Sequence, residues 1–275
     1  MAEIVKPATD FDDATTVAKF LIAIANWEKK YGIPKHGFHS HAWFRGHSKR
    51  SYELHPGVYR DDFTKRAQKW VGSSLENKRL NLEREMLSEF RVAGATLLNA
   101  NEIVPLYFIA QHNGMPTRLL DWTSNPLASL FFAVNSSPTE DGEVLIMEPR
   151  KVIPKPKNKR DPLDHVRTMR HPYVVDAIGM SYWHKPRASL DHDFRSLILP
   201  VRPDNTAGRI GQQSSCFTLH MHEAKPQDNP TLVKVKVPAG AKGDIREELR
   251  LLNINAFSIY NDLDSLSSEI KGKWL

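Results

Sequence analysis

The chain has 275 residues, 40% of them hydrophobic and 25% charged, which is enough to bury a full core and excludes a disordered or low-complexity protein. Its one cysteine, Cys216, excludes an intramolecular disulfide framework and a multi-cysteine zinc site, and points to a reducing compartment. The formal charge of +6 fits nucleic acid, a phosphate-bearing small molecule or neither, while the absence of a leader-like start or a bilayer-length apolar run predicts a cytoplasmic protein with no membrane partner.

In chain order, residues 11–31 place Val17, Phe20, Leu21, Ile24 and Trp27 at helical spacing after an Asp- and Thr-rich start suited to capping, and Gly32-Ile33-Pro34 ends that helix. Residues 39–60 hold a short aromatic strand, Ala42-Trp43-Phe44-Arg45, that runs into Gly46 and a polar turn with His47 and Ser48. Strand ends that meet glycine are places where backbone approaches a ligand. An arginine closing an apolar strand points its fork toward the sheet's end, where anions are held bidentately, so Arg45 is the first candidate, with a structural ion pair as the alternative. His36, His39, His41, His47 and His55 offer no i,i+4 pair with an acidic ligand beside it, and no metal is expected.

Residues 73–100 read as an amphipathic helix with Leu82, Met86, Glu89, Phe90, Ala93 and Leu97 on or near one face. Glu89 borders that stripe, either exposed at its edge or paired with a buried arginine. A short helix over 103–112 ends at Asn113-Gly114, a left-handed stop.

The next stretch, QHNGMPTRLLDWTSNPLASLFFAV over 111–134, crowds polar groups between apolar segments. Met115-Pro116 excludes helix, 117–121 is extended or turn, and Ser124-Asn125-Pro126 reads as an N-cap followed by proline in the first turn. The apolar helix that follows must be buried. Each polar residue here has a structural reading. Arg118 and Asp121 pair to tie the loop down, Trp122 anchors the core with its indole N–H on a carbonyl, Thr117 and Thr123 serve turns and caps, and Gln111 and His112 close a helix end.

Further on come a strand over 143–147 and a proline-broken basic loop with Arg150, Lys151, Lys155, Lys157, Lys159 and Arg160, which reads as a solvated connector. An irregular His- and Arg-bearing insertion over 162–193 leads to a strand over 196–200. The polar turn with Arg209, Gln212 and Gln213 opens a strand over 215–221, TLVKVKV over 231–237 alternates as an edge strand should, and helices follow over 244–252 and 263–271. Without a βαβ rhythm, the class is α+β with a mainly antiparallel sheet flanked by helices. Polar turns at 45–48, 111–123 and 209–215 and the Glu89 helix edge each abut a buried segment, so folding gathers costly polar groups, which proteins accept for a ligand.

Trp43-Phe44-Arg45-Gly46-His47-Ser48, the Glu89-Phe90 helix, QHNGMPTRLLDWTSNPLASLFFA, RIGQQSSCFT and IYNDLDSLSSEIK resemble, in that order, the FRG domain family. The resemblance runs from about residue 40 to 271 and divides the chain into an N-terminal helical extension, 1–38, and an FRG domain, 39–275. A more distant resemblance is to the arginine-type ADP-ribosyltransferases: Arg45-Gly46 looks like their first-strand Arg-Gly, Thr123-Ser124 with Ala128 and Phe131-Phe132-Ala133 looks like their Ser/Thr pair and helix, and Gln212-Gln213 falls near their acidic turn. It implies a split sheet of that type and NAD as substrate, with Arg45 on the pyrophosphate, the Thr123 and Ser124 hydroxyls on the nicotinamide ribose, and Arg45, Thr123, Ser124, Gln212 and Glu89 as the catalytic set. His47, Ser48, Gln111, His112, Thr117, Arg118, Asp121, Trp122, Arg209 and Gln213 are then ligand-binding candidates. Gln212 and Gln213 supply no negative charge, which leaves Glu89 or Asp121 as the carboxylate. Three readings follow: an NAD-utilising ADP-ribosyltransferase or glycohydrolase of the bacterial or phage toxin or defence kind, a non-catalytic nucleotide-binding module, and a nucleic-acid-processing protein. A protein or nucleic-acid target is left open.

Overall fold

The computed structural model of the chain describes residues 11–33, 42–98, 103–152, 167–169, 172–179, 198–203, 214–221 and 231–275. Local codes set most of the elements. Helix α1 (Val17–Tyr31) begins where the Thr16 hydroxyl accepts from the Lys19 amide and ends at Gly32, left-handed at φ +59°. It buries Val17, Phe20, Ala23 and Trp27. Strand β1 (Trp43–His47) is followed by a 3-10 turn (Gly57–Tyr59) and by α2 (Asp61–Gln68). Helix α3 (Leu75–Ala93), capped by Ser74, and α4 (Ile103–His112) precede β2 (Leu119–Thr123). Asn125 caps α5 (Pro126–Val134) by accepting from the Leu127 and Ala128 amides. Strand β3 (Gly142–Met147), the two-residue β4 (Arg167–Thr168), α6 (Pro172–Gly179), β5 (Ile198–Arg202), β6 (Ser215–His220) and β7 (Val233–Val237) complete the sheet and its cover. The chain closes with α7 (Lys242–Leu251), α8 (Ala256–Tyr260) and α9 (Leu263–Trp274).

Two expectations change. Helix α3 is shorter than 73–100, and its buried residues are Arg79, Glu83 and Leu87. The face carrying Leu82, Met86 and Phe90 is only half buried, and Glu89, Ala93 and Leu97 are exposed. The helix turns a charged stripe inward because Glu83 and Arg79 find partners there. The insertion over 162–193, expected to be irregular, contains β4 and α6 among its described residues; most of it, like most of the basic loop, lies outside them.

The fold is α+β; among the described residues the sheet has seven strands in the order β4-β5-β6-β2-β1-β3-β7, antiparallel except for β4 beside β5. Two helix layers share one face. Helices α1, α5, α7 and α8 cover Phe44, Val144, Ile146, Val233, Val235 and Val237 at the β1-β3-β7 end, and α3, α4 and α6 cover Leu119, Leu199, Val201, Phe217 and Leu219 at the β2-β6-β5 end. The Trp27 indole donates to the Thr231 carbonyl oxygen at 2.8 Å, so α1 is built into the first of these layers. The opposite face buries Trp43, Leu120, Trp122, Leu145 and Met147. Strand β7 is an edge with alternating burial; Lys234 pairs with Glu143 at 2.9 Å and Lys236 with Asp141 at 3.2 Å, so its two lysines face carboxylates rather than a nucleic-acid stripe.

The two halves of the sheet meet at β1 and β2 through one registered pair, Phe44 opposite Thr123, whereas β1–β3 and β2–β6 each register five. Continuing that register would set Gly46 against Asp121. Instead, the Asp121 carbonyl oxygen accepts from Arg45 Nη1 at 2.7 Å, so a side-chain guanidinium bridges the place where a main-chain ladder would run. Among the described residues no helix is long and apolar enough to cross a membrane.

Candidate functional site

Cavities open on both sides of Arg45. One, of about 280 Å³, lies where the helix layers diverge and is walled by Phe44, Trp122, Phe132 and Phe217 with Asp121, His112 and Thr123. The other, of about 630 Å³, is lined by His47, Ser48, Tyr52, Glu53, Arg60 and Asp61. Arg45, Gly46 and Phe132 belong to both walls. Their sizes fall within the range of small-molecule sites, about 300–1,000 Å³, or just below it.

Arg45 is the middle residue of β1 rather than its last. Its Nε donates to His47 Nε2 at 3.0 Å and its Nη1 to the Asp121 carbonyl; the Asp121 carboxylate is 3.8 Å away. Among the described residues Nη2 has no partner, so the end of the fork stays open to a ligand. Burial lowers the Arg45 pKa, the Asp121 charge raises it and the Arg60 charge lowers it again. Behind it, His47 is buried, and its acceptance from Arg45 leaves the proton on Nδ1, which faces Glu143 Oε1 at 3.4 Å, too long for a well-formed hydrogen bond. Burial pulls the His47 pKa down, against the pull of Glu143. Burial alone would raise Glu143, but His47 and Lys234 hold its carboxyl below the usual value.

Gly46 faces α5, and this is the close approach that its missing side chain permits. A Cβ there would run into the Ser129 carbonyl oxygen and stand 2.8 Å from the Ala133 nitrogen. The backbone approach expected from the strand-glycine pattern is therefore to a helix. Ser48 is buried too, and its carbonyl oxygen accepts from Lys242 Nζ at 2.7 Å. That ammonium group, itself buried, also donates to the Ser136 and Ser137 carbonyl oxygens at 3.2 and 2.9 Å, clasping the loops after β1 and α5 from the start of α7.

Asp121 is the carboxylate at the smaller cavity. Its side chain is 54% exposed, and Gln111 Nε2 donates to its Oδ2 at 2.9 Å. Gln111 Oε1 in turn accepts from the Thr117 hydroxyl, which also takes the Leu119 amide at 3.0 Å. Gln111, Thr117 and Asp121 thus form one chain that orients the carboxylate, and half-buried His112 stands on the same wall.

Arg118 does not pair with Asp121. Fully buried, it donates from Nε to Glu83 Oε2 at 3.0 Å and from Nη2 to the Ala177 carbonyl at 2.9 Å, while Tyr107 donates its hydroxyl to Glu83 Oε1. Burial opposes its charge, but Glu83 and Tyr107 hold the Arg118 pKa above the ordinary value. Burial, with Glu83 beside it, pushes the Tyr107 hydroxyl well above its own. This knot ties β2 to α3, α4 and α6. Removing one partner of such a pair costs about 3–5 kcal/mol. The carboxylate expected at the site from α3, Glu89, is exposed and lines neither cavity; the one that pairs with a buried arginine is Glu83, in a scaffolding role.

Trp122 is a core anchor, but its indole N–H reaches the Thr218 hydroxyl at 3.0 Å rather than a carbonyl, and Thr218 lies 3.0 Å from His220 Nε2. The Thr123 hydroxyl accepts from the Asn125 amide at 3.0 Å, and the Ser124 hydroxyl donates to the Ser214 carbonyl at 3.3 Å. Both hydroxyls therefore do capping and turn work. Arg209, Gln212 and Gln213 lie outside the described residues; the chain re-enters at Ser214, whose carbonyl also takes the Ser124 amide at 3.0 Å. His36, His39 and His41 fall outside them as well.

Sequence reasoning missed Tyr52, Arg60 and Phe132 as cavity residues and Glu143 and Lys242 as supports. Arg60 follows the Pro56-Gly57 turn, and that turn was its one local signal. Lys242 and Glu143 had none, because only the pairing of distant elements brings them in.

No curated protein and no solved structure matches the chain. The motifs RIGQQSSCFT and IYNDLDSLSSEIK lie beyond the residues that match a family model. Residues 40–142 match the FRG domain, a stretch that reaches the first residue of β3 and takes in Arg45, His47, the Glu83–Arg118 pair, Gln111, Asp121 and α5.

Proposed function

We propose that the cleft at Arg45 binds NAD and that the protein is an ADP-ribosyltransferase-like or NAD glycohydrolase-like enzyme. One observation carries the reading: a guanidinium with an open fork end, shared by the walls of two cavities, stands 3.8 Å from an exposed carboxylate on the aromatic-walled one. Pyrophosphate suits the open end of Arg45, because charge-assisted pairs with a planar fork are the strong ones. The phenylalanines and Trp122 offer flat apolar surface for the nicotinamide ring.

In the reaction, the bond between the ribose anomeric carbon and the nicotinamide nitrogen breaks, and its electron pair leaves with nicotinamide. The positive charge that develops on the ribose is stabilised by the Asp121 carboxylate, held by Gln111 and Thr117 and so prepared before the charge appears. Water, or a nucleophilic side chain of a target, then forms the new bond to the anomeric carbon and gives up its proton to solvent. Asp121 takes the part for which Gln212 and Gln213 carry no charge.

The engaged hydroxyls of Thr123 and Ser124 favour a second reading, a nucleotide-binding module without catalysis. Measuring nicotinamide release from NAD, with and without cell extract, separates the two. We expect release by the unaltered protein, a loss of about 100-fold or more in Arg45→Ala, and a comparable loss in Asp121→Asn with NAD binding retained. No release in either condition, with NAD still raising the melting temperature, establishes the binding module instead.

A further inference from the structure

We propose that the larger cavity takes the adenylate half of the dinucleotide, with its phosphate between Arg45 and Arg60 and its base on Tyr52; the identity of the ligand rests on the NAD reading above. Two guanidinium groups from separate segments face this cavity, and they are close enough for Arg60 to act on the Arg45 charge. Among the described residues, Arg60 makes no ion pair. Its Nε donates to the His55 carbonyl oxygen at 3.4 Å, and the fork end is open. The carboxylates on the same wall are otherwise engaged or placed: Glu53 pairs with His55 Nδ1 at 2.9 Å, and Asp61 sits at the start of α2, where a negative charge complements the helix dipole. Like charges that converge repel, and only Arg45 has a carboxylate, Asp121 at 3.8 Å, to offset its charge; an anion between the two guanidinium groups relieves that repulsion.

Tyr52 gives the rest of the chemistry. The residue is 49% exposed, and its ring meets His47 edge-on, at 6.0 Å and 75°. An aromatic ring half open beside a phosphate-sized cationic gap is surface on which a purine stacks. Glu53 and Asp61 offer carboxylate oxygens to ribose hydroxyls, a contact carboxylates make in other nucleotide sites. At about 630 Å³ the space suits a nucleoside monophosphate and is larger than a phosphate ion needs.

Calorimetric titration of the full chain with AMP, ADP-ribose and NAD tests this, using Arg60→Gln and Tyr52→Ala, both at exposed positions and checked for an unchanged melting temperature. We expect AMP to bind the unaltered protein and each substitution to weaken AMP and ADP-ribose by about tenfold or more, the loss of one charge-assisted contact or one stacked base. AMP binding with equal affinity to both variants overturns the assignment. So does NAD binding without AMP binding, although the NAD reading then survives. AMP binding that depends on Arg60 and Tyr52 while NAD neither binds nor releases nicotinamide leaves this site standing and removes the NAD reading. If none of the three binds, both fall.

Discussion

The guanidinium of Arg45 is held on two sides and open on a third, and the residue that holds it from behind makes the arrangement sensitive to acid. His47 accepts from Arg45 Nε only while neutral, and burial lowers its pKa below the usual histidine value near 6.5. In the unfolded chain the same imidazole takes up a proton as pH falls through about 6.5, so below that point the unfolded state binds more protons and stability drops. The loss levels off once the folded-state pKa is passed. Urea unfolding midpoints at pH 7.5, 6.5 and 5.5 are expected to fall more steeply in the unaltered protein than in His47→Gln. Parallel slopes would show that His47 carries no such linkage.

At the level of elements, β1 and α5 are interlocked through the missing side chain of Gly46. Gly46→Ala drives a methyl group into the α5 backbone, which cannot move away without opening the β1 layer, so we expect a melting temperature lowered by many degrees or no folded protein. Gly243 in α7 has open space at the same position and serves as the control; Gly243→Ala should raise stability by up to about 1 kcal/mol through helix propensity. Elements with local codes were legible in the sequence: the Thr16 cap and Gly32 stop of α1, the Asn125-Pro126 start of α5, and Gly114 at φ +83° after α4. Helices α2 and α8 were not, because eight and five residues give too little periodicity to register. The inward face of α3 was misread for a different reason. Its buried set of Arg79, Glu83 and Leu87 is mostly charged, and an apolar pattern finds only the half-covered neighbouring stripe. Residue type picked out Arg45, Gln111 and Asp121 as candidates, and the fold brings these three into contact, but the Arg118–Asp121 pairing, inferred from proximity in sequence, yields to Glu83, 35 residues away.

Across the whole molecule, the sheet is two half-sheets joined by one residue pair and one arginine. Amides at that seam should exchange with solvent faster than those of the β2–β6 and β1–β3 ladders, and NAD or AMP should slow them if the cleft closes around ligand. Hydrogen-exchange mass spectrometry reads both effects; uniform protection across the sheet would argue against a weak seam. The Lys242 clasp adds a lesson about modules. The matched residues 40–142 end at the first residue of β3, yet β2 is paired to β6, β3 to β7, and the Ser48, Ser136 and Ser137 carbonyls to an ammonium a hundred residues further on. Cut out alone, the recognisable segment would leave β2 with a bare edge and three carbonyl acceptors without their ammonium donor. What the family match marks as one unit is, mechanically, half of a clamp whose other jaw is written in the last third of the chain.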